Sequence, residues 1–97
     1  MKRSKVISIL NKHRQVLSDR YGVKSLALFG SVARDEATPA SDVDLLVDFD
    51  RSVGLFGLFA LQDYLETILG RPVDLGTPDS LKPRLREEVL AESVNVT

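Results

Sequence analysis

The stretch Phe29-Gly30-Ser31-Val32-Ala33-Arg34, with Ser41-Asp42-Val43-Asp44-Leu45-Leu46-Val47 after it, decides how this chain reads. A Gly-Ser turn leads across a short spacer to two aspartates one residue apart on an apolar strand. Such a strand is expected to be buried, and ionised carboxylates are costly to bury without compensation. A hard divalent cation is the natural compensation for a carboxylate pair. A Gly-Ser turn before a helix is a natural seat for phosphate. Together they point to chemistry on a nucleoside triphosphate.

The residues on either side fall into elements. Val6, Leu10, Leu17 and Tyr21, flanked by Ile7, Ile9 and Val16, recur at helical spacing and predict one helix from about Ser4 to Tyr21, stopped by Gly22. Val23 to Phe29 reads as a first strand, apolar on both faces near its end, which suits the middle of a covered sheet. Val32 to Ala37 predicts a short helix, and Thr38-Pro39-Ala40-Ser41 a loop. The second strand runs from Asp42 or Val43 to Phe49. Val43, Leu45, Val47 and Phe49 point one way; Asp42, Asp44, Leu46 and Asp48 point the other. A helix from about Val53 or Gly54 to Gly70 carries Leu55, Phe56, Leu58, Phe59, Leu61, Leu65, Ile68 and Leu69 as a broad apolar face. Pro72 to Leu75 predicts a short third strand with Asp74 opposite Val73 and Leu75. Thr77-Pro78 then announces a last helix carrying Leu81, Leu85, Val89 and Leu90. Val94-Asn95-Val96 reads as a frayed end or a short extra strand. The order predicts an α/β (α+β) domain, a small sheet covered by helices.

Residues i and i+2 of a strand share a face, so the Asp42 and Asp44 side chains start about 6–7 Å apart. At that separation two carboxylates can bracket one Mg²⁺ or share two ions, the arrangement that serves displacement at phosphorus. Taken alone, the pair reads more simply as the polar outer face of an antiparallel strand. Asp74 changes the balance if its strand pairs beside the second, because three clustered carboxylates repel and need cations to stay ionised. The third acid can then accept the proton of a nucleophile; its plain alternative is a solvent-facing acid at a strand end. Gly30 lets a ligand approach the backbone closely, and Ser31 with the amides after it can donate to phosphate oxygens. Arg34 is placed to neutralise phosphate charge or to pair with Asp35 or Glu36. Ser41 can bond phosphate, orient Asp42, or act as a plain loop hydroxyl. His13, the only histidine, lies far from this group and is expected to be a surface or packing residue. Lys82, Arg84 and Arg86 read as a solvated face.

Bulk properties bound the rest. With 97 residues, 43% hydrophobic and 28% charged, residues 1–97 read as a single ordinary globular domain. No apolar run approaches the roughly 20 residues that span a bilayer, and no signal peptide is evident. The absence of cysteine rules out disulfides and thiolate metal sites and fits the cytoplasm. A net charge of −1 gives no global field for nucleic acid, so no direct nucleic-acid partner is expected.

Gly30-Ser31, ten intervening residues and Asp42-Val43-Asp44 resemble the motif of the polymerase-β-type nucleotidyltransferase superfamily. The flanks Phe29 to Arg34 and Ser41 to Phe49, with Pro72 to Leu75 and Leu81-Lys82-Pro83-Arg84-Leu85-Arg86, are similar to the minimal nucleotidyltransferases, the MNT antitoxins. The tail departs from the pattern, with Asn95 where members carry an aromatic. The resemblance implies a mixed β-sheet flanked by helices. It also implies ATP as donor and Mg²⁺, two ions by the pairing argument above, on Asp42, Asp44 and Asp74. Gly30 and Ser31 become the triphosphate turn, while the roles of Arg34 and Ser41 rest on the residues alone. The implied function is adenylylation of a tyrosine hydroxyl on a HEPN-domain ribonuclease toxin, in a hetero-oligomer with it. The alternative is neutralisation of that toxin by stoichiometric binding without catalysis.

Overall fold

The computed structural model describes residues 2–36, 38, 41–77 and 94–96. In chain order the elements are α1 (Arg3–Lys12), α2 (Arg14–Tyr21), β1 (Val23–Phe29), α3 (Gly30–Ala33), β2 (Val43–Phe49), α4 (Leu55–Leu69), β3 (Val73–Gly76) and β4 (Val94–Asn95). They form a four-stranded sheet in the order β3-β2-β1-β4. β1 runs antiparallel to both β2 and β4, and β2 pairs parallel with β3. A parallel pair needs a crossover connection, and α4 provides it. The sheet is therefore mixed, as expected.

The alternation in β2 sorts its residues as the sequence predicts. Val43, Leu45 and Val47 are fully buried, whereas Asp44 is half-buried and Asp48 exposed. Across the antiparallel ladder Leu28 meets Leu45 and Leu26 meets Val47, so both strands give the same face to the core. An irregularity between Val23 and Ser25 brings Val23 back opposite Phe49. Val6 and Leu10 of α1, Leu17 of α2 and Leu61, Leu65 and Leu69 of α4 pack on that face in one cluster. Gly22 and Gly70, both in the left-handed region, end α2 and α4.

Four expectations are corrected. The single helix over Ser4–Tyr21 is two, broken at His13. The ring Nδ1–H of His13 donates to the Ile9 carbonyl at 2.9 Å, the acceptor its own main-chain N–H would take in a continuing helix. That N–H turns instead to Leu10 O at 3.1 Å, and the ring packs edge-on against Tyr64. The short helix starts at Gly30 rather than Val32 and stops at Ala33, because Asp35 just beyond takes a left-handed φ of 56°. The apolar face of α4 is narrower than its composition suggests: Phe56 is 89% and Phe59 52% exposed. At about 100° per residue both fall on the side away from Leu61, Leu65 and Leu69. The third strand is displaced by one residue, Val73–Gly76. The last predicted helix, with Leu81 to Leu90 and the Lys82, Arg84 and Arg86 cluster, lies outside the described residues. Among the described residues no helix is long and apolar enough to cross a membrane.

Leu28 sits at 0% exposure on a strand with neighbours on both sides. Leu28→Ala is expected to destabilise the fold by about 2–5 kcal/mol in urea denaturation.

Candidate active site

The face of β2 turned away from the core carries Asp44, Leu46 and Asp48, Asp42 stands one residue before the strand, and two neighbouring elements complete the candidate site. Parallel pairing places Asp44 directly opposite Asp74, with Val43 opposite Val73 and Leu45 opposite Leu75. Residues paired in register point to the same face, so Asp74 joins Asp44. The condition attached to Asp74 in the sequence is thereby met. On the other side Phe29, the last residue of β1, is the partner of Asp44, so the chain enters the Gly30-Ser31 turn beside that carboxylate.

Gly30 has two reasons to be glycine. Its φ is +74°, and a Cβ there would run into the Asp44 carboxylate. The turn and the acid are therefore built against each other, with the side chain of Gly30 reduced to hydrogen so that both fit. Its short helix is held from below: Arg3 of α1 donates through Nη1 to Ala33 O at 3.0 Å, and its main-chain N–H donates to Asp35 Oδ1 at 2.8 Å.

Charge is concentrated on this face. The Asp44 carboxyl titrates above the ordinary carboxylate range, because of its burial first, then the nearby Asp74 and Asp42 charges; Arg34 opposes them. Arg34 also pairs with Glu36 at 3.1 Å, the ion pair considered for it. Ser41 lies at the edge of the group. Its Oγ accepts from the Thr38 N–H at 2.9 Å and lies 3.2 Å from Thr38 Oγ1, so the hydroxyl closes the turn before Asp42. His13 packs on Tyr64, apart from the site.

Among the described residues, no three acidic, histidine or cysteine side chains already stand close enough to hold an ion as placed. The donor set nevertheless suits a hard divalent cation: three carboxylates supply only oxygen ligands. The unrelieved repulsion on Asp44 is what such an ion would remove.

Sequence reasoning missed the residues that fix this geometry. Glu66 Oε2 accepts from the Val73 N–H at 2.9 Å, and Gln62 Nε2 donates to Val73 O at 3.0 Å, so α4 holds β3 by its main chain. Their spacing of four residues on α4 was the available signal. Arg71 Nη1 donates to Ser41 O at 3.2 Å and approaches Thr38 O at 3.4 Å.

Acids gathered from two parallel strands next to a Gly-Ser turn define a class, and the comparisons agree: this is a nucleotidyltransferase. The chain belongs to the nucleotidyltransferase domain family, whose sequence model matches residues 10–96. It is 45% identical over 89 residues to the protein adenylyltransferase MntA of Thermococcus cleftensis, covering 92% of this chain and 90% of the relative. The solved structure of a candidate minimal nucleotidyltransferase shares the fold at a TM-score of 0.83 and 37% identity, over 97% of this chain and 95% of that one. The expected kinship with minimal nucleotidyltransferases holds. A chain of the complex between a tri-AMPylated Shewanella oneidensis HEPN toxin and MNT antitoxin matches in fold, with TM-score 0.67 and 22% identity, over 93% of this chain and 70% of that one.

Two variants test the geometry. Asp44→Asn removes a carboxylate that the fold tolerates rather than favours, and is expected to raise Tm by a few degrees at pH 7 in metal-free buffer. A carboxyl titrating higher folded than unfolded binds more protons in the native state, so it lowers stability as pH rises through that interval. The gain in Asp44→Asn should thus be present at pH 7 and vanish in acid, where Asp44 is already protonated. Gly30→Ala meets both the positive φ and the Asp44 carboxylate; it is expected to cost about 1–3 kcal/mol in denaturant titration and to abolish nucleotidyl transfer.

Proposed function

We propose that this chain is a Mg-ATP-dependent protein adenylyltransferase that acts in the cytoplasm as an antitoxin. Its substrate is a hydroxyl, on a tyrosine, of a HEPN-domain ribonuclease toxin with which it assembles. The observation that carries the reading is the in-register pairing of Asp44 with Asp74 beside the Gly30 turn. The name of the Thermococcus cleftensis relative and the AMPylated toxin in the distant complex supply the acceptor class.

Asp42, Asp44 and Asp74 would hold Mg²⁺, two ions in the paired arrangement, and the metal would neutralise charge on the triphosphate and on the oxygens entering and leaving phosphorus. The chain does the positioning. Gly30 admits the phosphates close to the backbone, and Ser31 with the following amides donates to the β- and γ-phosphate oxygens. Arg34, whose charge already reaches Asp44, offsets phosphate charge from the same side. Ser41 serves from the edge, either by bonding phosphate or by holding the peptide before Asp42. The acceptor oxygen forms a bond to the α-phosphorus as the bond to the β-phosphate oxygen breaks, and pyrophosphate departs. The hydroxyl proton passes to Asp74, which is exposed and so open to an acceptor arriving from outside. Holding the reactants in line supplies most of the acceleration.

Incubation of the purified chain with its HEPN partner, Mg²⁺ and ATP tests the proposal by mass analysis of the partner. Added AMP units that map to tyrosine, and that disappear with Asp42→Ala or with EDTA, are expected. Neutralisation that needs no ATP and survives Asp42→Ala would overturn the catalytic reading in favour of stoichiometric binding.

A further inference from the structure

We infer that Arg71 is a positioning residue that sets Asp42 in place against Asp74. The inference rests on the adenylyl-transfer reading above for its role in catalysis.

Asp42 lies one residue before β2 begins, outside the strand pairing that starts at Val43 opposite Val73. Its direction is therefore set by the peptides on either side. Both are tied to the same short segment. On one side Ser41 O accepts from Arg71 Nη1 at 3.2 Å; on the other the Val43 N–H donates to Pro72 O at 3.0 Å. Holding the oxygen of the peptide that joins Ser41 to Asp42 stops that plane from rotating. The Asp42 Cβ is then fixed relative to residues 71 and 72. Two residues further along each strand stand Asp44 and Asp74, already paired. The two tethers thus keep the first acid in step with the other two.

The turn that Arg71 grips is already formed. Ser41 N–H donates to Thr38 O at 3.0 Å, and Ser41 Oγ accepts from the Thr38 N–H at 2.9 Å. Arg71 Nη1 reaches both carbonyls of this turn from one nitrogen, a contact that a lysine ammonium can reproduce in part. The printed contacts of the side chain run to main-chain carbonyls, so it acts on Asp42 through the peptide before it. Groups that orient metal-holding residues without touching the ion typically contribute 10–100-fold in affinity or rate.

The test compares the full chain with Arg71→Ala and Arg71→Lys. Free Mn²⁺ is titrated by electron paramagnetic resonance without nucleotide or partner, and AMP transfer to the HEPN partner is measured separately. Arg71→Ala is expected to weaken Mn²⁺ binding and lower kcat, each about tenfold, while KM for the partner stays unchanged. Arg71→Lys should recover part of both, with Tm of all three proteins within a few degrees. Wild-type Mn²⁺ affinity in Arg71→Ala overturns the inference, even where the wild type transfers AMP normally. A Tm that falls with both substitutions, with no recovery by lysine, overturns it in favour of a merely structural role. Loss of Mn²⁺ affinity in Arg71→Ala with partial recovery by lysine supports it, even should the wild type transfer no AMP, an outcome that would sink the function alone.

Discussion

Two carboxylates held opposite each other across a parallel strand pair are the constraint on which this molecule depends. Asp44 and Asp74 share a register position, Asp42 stands nearby, and Asp44 is half-buried. Burial and two like charges all oppose ionisation of Asp44, and Arg34 offsets only part of this. An arrangement that raises the free energy of the folded chain persists only where the rest of the structure imposes it. Here that is the apolar face of the same sheet. Leu26, Leu28, Val43, Leu45 and Val47 are each fully buried against the helices. A strand cannot slip to separate the acids without turning those side chains to water.

Much of this was legible because strand alternation has a period of two. The alternation of Val43, Leu45 and Val47 with Asp42 and Asp44 told the core face from the polar face before any partner strand was known. Gly30 was legible as a turn, but its second reason, the Asp44 carboxylate where a Cβ would stand, needed coordinates. Asp74 was legible only conditionally. A lone acid in a short strand says nothing of its neighbour, and the parallel register supplied the answer. Kinship came from the joint spacing of Gly30-Ser31 and Asp42-Val43-Asp44, since each piece alone is common.

What the sequence concealed has a common character. The break at His13 comes from a ring nitrogen competing for a main-chain carbonyl. Arg3, Gln62, Glu66 and Arg71 also bond to main-chain atoms, from 7 to 33 residues away in the chain. Main-chain atoms carry no residue identity, so no complementary partner appears in the sequence to announce such a bond. Hydrophobic periodicity finds what packs and charge complementarity finds what pairs, but neither finds a side chain that fastens backbone. The overestimate of α4 has a different origin: the apolar count included Phe56 and Phe59, which helical spacing turns away from Leu61, Leu65 and Leu69.

Those fasteners have a reason to lie where they do. Among the described residues β3 is an edge strand of four residues with one ladder partner, and short edge strands are weakly specified in register. A slip by one residue would carry Asp74 to the opposite face, and the acid needed beside Asp44 would be lost. Val73, the residue before Asp74, has its N–H bonded to Glu66 and its carbonyl to Gln62. Each bond opposes that slip, because α4 is itself anchored through Leu61, Leu65 and Leu69 in the core. The core thus specifies the site by two routes. It fixes β2 directly through alternate side chains, and it fixes β3 indirectly through a helix whose polar residues reach over the edge. A sheet that must hold like charges together needs both routes, since repulsion alone would favour the slipped register.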